Sequence, residues 1–406
     1  MAYERYEQER HQEEPHGYDG EESLTRIKVI GIGGAGCNAI NRMIEDGISN
    51  VEFVAVNTDA QVLRNSLAKK TLQIGARSTR GLGAGAKPEV GEKAAQEDIE
   101  EIRALLDKTN MVFITAGMGG GTGTGAAPIF AKVAKDIGAL TVAVVTIPFD
   151  FEGKRRIDTA YQGIARLKEH VDTMLVISNS RIFKVIERKA GVKQAFHKID
   201  DVLKQAVQGI SSIITEVGII NVDFADVKTV LSNRGEAIMG IGIGQGDNRA
   251  IDAARGALEN PLIENSSFKN AGAMLVNIIG GPDFGMVEYD EAAKTIAEYC
   301  RHDAEIIVGL NVDENLKDKV RIIIIATDFT SSLAKDEERD IIPAENIFEE
   351  RKVVSLSELR HEHGKIRTLQ SQPLQGSDMP RSIHRVVEPL HEDYETPAFL
   401  RKKKMG

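Results

Sequence analysis

The sequence predicts an α/β protein built from a doubly wound domain, a long central helix and a smaller α+β domain. Short β-branched runs alternate with helical patterns through the first half. A broad apolar stripe then marks one long helix, and beyond it strands predominate until the periodicity fades near Thr330.

Arg26 to Ile32, Val51 to Val56, Met111 to Ala116, Leu140 to Ile147 and Met174 to Ser178 read as strands. They are nearly continuous in apolar character, as parallel strands covered on both faces are. Helical stretches such as Glu89 to Leu106 and Ala126 to Ile137 lie between them, which places any ligand at the carboxyl ends of the strands. Leu203, Val207, Ile210, Ile214 and Val217 step by four and three residues, with Val202, Ala206 and Ile213 beside them. Such a helix is buried on several sides, as a rod between two domains would be. Ala237 to Ile243, Ala273 to Ile279, Glu305 to Leu310 and Val320 to Ala326 read as strands of a second, smaller sheet. Helices are expected near Asn248 to Leu258 and Glu288 to Cys300. The organisation is then an extension over 1–24, a first domain over 25–198, a central helix over 199–218 and a second domain over 219–330. A flexible linker over 331–390 and a terminal peptide over 391–406 complete it.

A length of 406 residues suits two domains with tails. The net charge of −10 argues against a sequence-independent grip on nucleic acid, so no nucleic-acid partner is expected. Cys37 and Cys300 make neither a metal nor a disulfide pattern, and the chain reads as cytoplasmic. Residues 1–24 lack the apolar core of a secretory signal. The run Ile322 to Ile325 is too short to span a bilayer, so any membrane role goes through a partner rather than direct insertion.

The first glycine run, Gly31-Ile-Gly-Gly-Ala-Gly-Cys-Asn38, follows a strand and opens a helix. Glycines there let the backbone approach a phosphate whose charge the helix N-terminus stabilises. Gly31, Gly33 and Gly36 also satisfy G-x-G-x-x-G, which keeps an NAD-dependent oxidoreductase open. The second run, Gly117 to Gly125, holds six glycines in nine residues, with Pro128 where a helix could begin. Its backbone N–H groups and the hydroxyls of Thr122 and Thr124 suit a di- or triphosphate, and two such loops on one sheet favour a mononucleotide. A third loop, Arg80 to Ala86, reads equally as a cover for the terminal phosphate or as a mobile surface turn. In Asn221-Val-Asp-Phe-Ala-Asp226, Asp223 and Asp226 are three apart and would share a helical face, for catalysis or for helix capping.

Taken in order, G-G-G-T-G-T-G, Asn57-Thr-Asp59, Gly81-Leu-Gly-Ala-Gly85, Phe151-Glu-Gly-Lys-Arg-Arg156 and Asn221 to Asp226 resemble the tubulin-like FtsZ family. The resemblance runs from about Ile27 to Thr327 and includes the tail. It implies a Rossmann-like GTPase domain that binds GTP or GDP with Mg²⁺, and a cell-division protein that assembles head to tail at the division site. It assigns the phosphates to Gly34, Ala35, Gly36, Cys37 and Asn38 and to Gly121, Thr122 and Gly123. Ala84, Gly85 and Ala86 would meet the γ-phosphate, and Glu152 and Arg156 the ribose. Asn179 and Asp200 would read guanine and Phe196 would stack on it. The family often has Asp-Asn where this chain has Asp200-Asp201, so the neighbouring Asp201 remains an alternative. Cys37 is expected merely to line its loop. Asn221, Asp223 and Asp226 would activate water on the nucleotide of a neighbouring subunit. Pro397, Phe399 and Leu400 would dock membrane-tethered division adaptors. A scaffold that binds nucleotide without hydrolysing it is the remaining alternative.

Overall fold

The structure, a computed structural model, describes residues 25–329 except Arg188, Val217 and residues 260–267. The expected extension over 1–24, the linker and the docking peptide with Pro397, Phe399 and Leu400 lie outside the described residues.

Among the described residues, ten strands form one sheet. They are β1 (Ile27–Ile32), β2 (Glu52–Asn57), β3 (Lys70–Gln73), β4 (Met111–Gly117), β5 (Leu140–Ile147), β6 (Thr173–Ser178), β7 (Gly235–Gln245), β8 (Ala273–Gly280), β9 (Glu305–Val312) and β10 (Lys319–Thr327). Their spatial order is β3-β2-β1-β4-β5-β6-β7-β10-β8-β9. The first six are parallel. After β1 the chain winds outward through β2 and β3, then restarts at β4 on the other side of β1. That reversal opens a crevice above the carboxyl ends of β1 and β4.

Alternate residues of β1 feed opposite cores. Ile27 and Val29 join the cluster that contains the long helix, while Ile30 and Ile32 join the cluster on the other face. Burial on both faces explains why these strands lack polar alternation.

The smaller sheet is not separate, which corrects the expectation from sequence. Strand β7 pairs in parallel with β6 through Thr173–Gly235, Met174–Glu236 and Leu175–Ala237, then runs antiparallel to β10. Its length of 11 residues lets one strand serve both halves.

The long helix spans Val192–Thr215, beginning seven residues before the expected 199. Its 24 residues extend about 36 Å at 1.5 Å per residue. Leu203, Ala206, Val207, Ile210 and Ile213 are buried along it. Asn277 on β8 donates to Gly209 O (3.2 Å) and Ser212 Oγ (2.9 Å), tying the second half to this rod.

Candidate active site

Five segments converge at the carboxyl ends of the parallel strands: Gly33 after β1, Thr58 after β2, Met118 after β4, Pro148 after β5 and Asn179 after β6. They enclose a cleft of about 420 Å³ lined by both glycine loops together with Thr146, Glu152, Arg156, Asn179 and Phe196.

The first loop leaves β1 directly into the helix Gly33–Glu45. Gly33 holds a φ of +76°, and a Cβ there would sit 2.9 Å from Gly123 N. The two glycine loops therefore touch, and side chains at this point would push them apart. Gly34 and Ala35 stay exposed to the cleft, whereas Cys37 is 1% exposed beneath the loop. Its Sγ lies 3.6 Å from Val56 O and 3.9 Å from Asn57 Nδ2, and burial pushes the thiol up to about 11. The expectation that Cys37 lines the loop is thus corrected for its side chain, which is turned into the core.

The second loop enters a helix at Thr122, four residues before the expected Ala126, so the glycine run itself supplies the helix N-terminus. Pro128 is consequently inside this helix, not at its start. At that depth it removes one bond to the carbonyl of Thr124, a loss the tight packing around it tolerates. Thr122 faces the cleft with its hydroxyl 2.7 Å from that of Thr58. Thr124 differs from expectation. It is fully buried, and its Oγ1 accepts from Gly119 N–H at 2.8 Å, so it braces the loop from within.

The third loop is fixed to the body. Ala60 N–H donates to Gly81 O, Gly83 N–H donates to Thr58 O, and Leu82 bridges to Asp59. Ala84 is buried, and its Cβ would lie 2.8 Å from a Cβ on Gly121. Gly85 and Ala86 remain exposed beside it, with Ala86 in a left-handed backbone (φ 58°). None of these three is among the residues lining the cleft.

Glu152 and Arg156 pair at 2.7 Å, and Glu152 Oε1 also accepts from Phe149 N–H at 2.9 Å. Asn179 is 9% exposed, and its Oδ1 is buried with no hydrogen-bond partner. A buried acceptor left unmade costs about 1–3 kcal/mol, which a ligand donor in the cleft would relieve.

Phe196 separates this cleft from a second one of about 260 Å³, lined by Asn38, Asn41, Arg42, Glu45, Lys193, His197 and Asp200 as well. Asn38, expected with the phosphates, thus lies with Phe196 and Asp200. Phe196 and Asp200 are one helical turn apart on the long helix. Burial, reinforced by the adjacent Asp201, pushes the Asp200 carboxyl up to about 6. Asp201 instead faces Arg42 (3.6 Å) and Lys204 (3.7 Å). Sequence reasoning missed the ring cluster behind Phe196. Phe149 stacks on Phe151 at 4.8 Å and meets Phe183 and Phe196 at 5.5 Å each. The density of Phe in otherwise polar loops was the available signal.

Asn221, Asp223 and Asp226 are elsewhere. Asp223 caps the helix Phe224–Leu231, its Oδ1 accepting from Asp226 N–H at 2.8 Å, and Asn221 Oδ1 accepts from Gly218 N–H at 2.7 Å. Both aspartates are exposed. They follow the far end of the long helix, whose stretch from Asp200 to Thr215 alone is about 22 Å.

Residues 26–187 match the GTPase domain of the Tubulin/FtsZ family, and residues 235–330 match the FtsZ family C-terminal domain. An empty FtsZ dimer from M. jannaschii is 42% identical, with a TM-score of 0.73, over 82% of this chain and 93% of that one. CetZ2 from Haloferax volcanii, a GTPγS-bound protofilament, is 20% identical with a TM-score of 0.64, over 77% of this chain and 97% of that one. CetZ1 from the same organism, a GDP-bound monomer, is 23% identical with the same TM-score over 74% and 93%. The CetZ likenesses extend to the fold. The chain belongs to the tubulin/FtsZ family, and residues 26–187 are that family's GTPase domain. The NAD-dependent oxidoreductase alternative finds no support in these matches.

Proposed function

We propose that the chain is a filament-forming cell-division GTPase whose hydrolytic site is completed by a second copy. The observation that carries this reading is the separation of Asn221, Asp223 and Asp226 from the cleft residue Phe196 by the helix stretch up to Thr215, about 28 Å. Acids held that far away cannot reach a nucleotide bound in their own chain. Head-to-tail stacking brings them over the neighbour's cleft, and such a contact repeats without closing.

Within the cleft, the backbone N–H groups of Gly34, Ala35 and Gly36 and of Gly121, Thr122 and Gly123 cradle the phosphates at two helix N-termini. Ala84 and Lys87, which bracket Gly85 and Ala86 in the third loop, lie next to Gly121, so this loop would meet the terminal phosphate. Glu152 and Arg156 hold the ribose. Phe196 stacks on the base, Asn179 contributes its unpaired Oδ1, and Asp200 accepts from N1–H and the 2-amino group of guanine. Asp223 and Asp226 from the neighbour orient and deprotonate the attacking water. Among the described residues no group of three or more His, Cys, Asp or Glu is placed to hold a metal. Mg²⁺, bound together with the nucleotide, would supply neutralisation of the charge that develops on phosphoryl transfer. Residues 391–406 would recruit the filament to membrane-tethered adaptors at the cytoplasmic face of the division site. Among the described residues, no helix is long and apolar enough to cross a membrane.

The test is GTP hydrolysis measured across protein concentration. Specific activity should vanish on dilution and rise above a threshold. Constant specific activity down to high dilution would place water activation within one chain and overturn the reading.

A further inference from the structure

The second cleft contains a charged group that the nucleotide assignment does not use. Arg42 projects from the helix Gly33–Glu45 and lines this cleft opposite Asp200. Its Nε is buried without a hydrogen-bond partner, as is Oδ1 of Asp201, although the two are only 3.6 Å apart. Around it stand Asp46 at 3.5 Å and Glu45 at 3.6 Å. Lys204 takes Asp46 more tightly, at 2.7 Å. The guanidinium is therefore shared among several carboxylates and hydrogen-bonded to none through Nε.

We propose that Arg42 is the positioning residue for guanine recognition: it holds Asp201 away from the base and keeps Asp200 ionised and free to accept. This rests on the assignment of Asp200 to the base. Two adjacent carboxylates partly removed from water repel one another, so one of them tends to take up a proton. A protonated Asp200 accepts poorly and presents an O–H to the N1–H of guanine. A cation placed against Asp201 and beside Asp200 favours the doubly ionised pair. The balance agrees: burial and Asp201 raise the Asp200 pKa, while Arg42 lowers it. The same arrangement explains why an Asp-Asp pair can serve here. Arg42 and Lys204 occupy Asp201, and Asp200 is left facing the cleft.

The groups facing Asp200 are Asn38, Asn41, Arg42 and Glu45 from the first helix and Lys193, Phe196 and His197 from its own. Asp46, Asp201 and Lys204 make up the charged network just beyond. His197 is the imidazole in the cleft, so its effect must be separated.

The experiment measures GDP and IDP affinity in full-length protein at a series of pH values from 5 to 8.5. IDP lacks the 2-amino group that Asp200 accepts. Wild type, R42Q, R42K, D200N and H197Q are compared, with thermal unfolding of each as a check on folding. In wild type, GDP affinity and its preference over IDP should fall together as the pH drops through about 6. In R42Q the midpoint of that fall should move up by about one unit, as expected for loss of a nearby cation. Preference at pH 7 then declines and returns at pH 8.5. R42K should restore the wild-type profile substantially, and H197Q should leave the shift caused by R42Q intact when the two are combined. A loss in R42Q that is the same at every pH, or no loss, overturns the role of Arg42. If D200N keeps both the pH dependence and the preference, the base assignment itself falls and the proposal with it.

Discussion

Replacing Asp226 with Ala removes an exposed first-turn carboxylate that contributes only a screened helix-dipole interaction, whereas Asp223 caps the helix with the same atom it would offer to water. The two substitutions should therefore separate. Asp226→Ala should leave the urea midpoint unchanged, while Asp223→Ala should cost about 1 kcal/mol through the lost cap. Both should lower GTP turnover by about 10²- to 10⁴-fold, the range for a positioned acid–base group, with nucleotide affinity retained. The decisive assay mixes Asp226→Ala with Asp200→Ala at a GTP concentration that saturates only the former. Each variant alone should be nearly inactive, one for lack of the acid and the other for lack of bound nucleotide. In an equal mixture about a quarter of random head-to-tail contacts join an intact base site to an intact acid pair, so phosphate release should recover to roughly that fraction of wild type. A mixture no more active than its components would refute the shared site, provided the variants co-sediment. Turnover lost in Asp226→Ala together with nucleotide affinity would show instead that the acid serves its own chain.

Three further outcomes follow from the geometry. Asp200 is raised to about 6, so GTP affinity should fall as pH drops through that value, because the accepting form is the ionised one. The unliganded protein should respond with the opposite sign, since a raised carboxyl opposes folding above pH 6 and that opposition disappears as the group protonates; urea titrations with and without GDP read both slopes. A Cβ on Gly125 would lie 2.0 Å from Pro88 O, so Gly125→Ala should destabilise by about 3 kcal/mol through overpacking, seen as a lower urea midpoint at unchanged slope. Buried and raised to about 11, Cys37 should resist a thiol reagent in the native protein, and mass spectrometry should find label at Cys300 first.

The parallel core was legible because burial on both faces leaves its mark residue by residue. The apolar pattern gives Leu140–Ile147 its observed ends and places those of β1, β2, β4 and β6 within one residue. The short edge strand Lys70–Gln73 was not legible, since its exposed Lys70 and Thr71 carry no apolar pattern. Helix starts are misplaced where tertiary packing rather than local propensity sets them. Glycines at 121 to 125 argue for loop by propensity, yet the crevice demands a helix N-terminus there, and tertiary packing prevails. The first turns of the long helix, with Lys193, Gln194 and Lys198 exposed, lacked the stripe that identified its later turns. The stretch read as one helix from Glu89 to Leu106 is broken at Asp98, whose carboxylate accepts from Gly75 N–H. In the site, the glycine loops announced themselves, but no pattern could reveal that Thr124 braces a loop while Thr122 faces the cleft.

The rod between base site and acid loop also sets a rule of counting. If the acids serve the neighbour's nucleotide as proposed, a stack of n copies would hold one fewer complete site than it has nucleotides. One end of such a stack would then keep a nucleotide that no neighbour attacks, and the other would display carboxylates with nothing to act on. A stack built this way would have a direction, and the age of an internal contact would be recorded in whether its nucleotide had lost a phosphate.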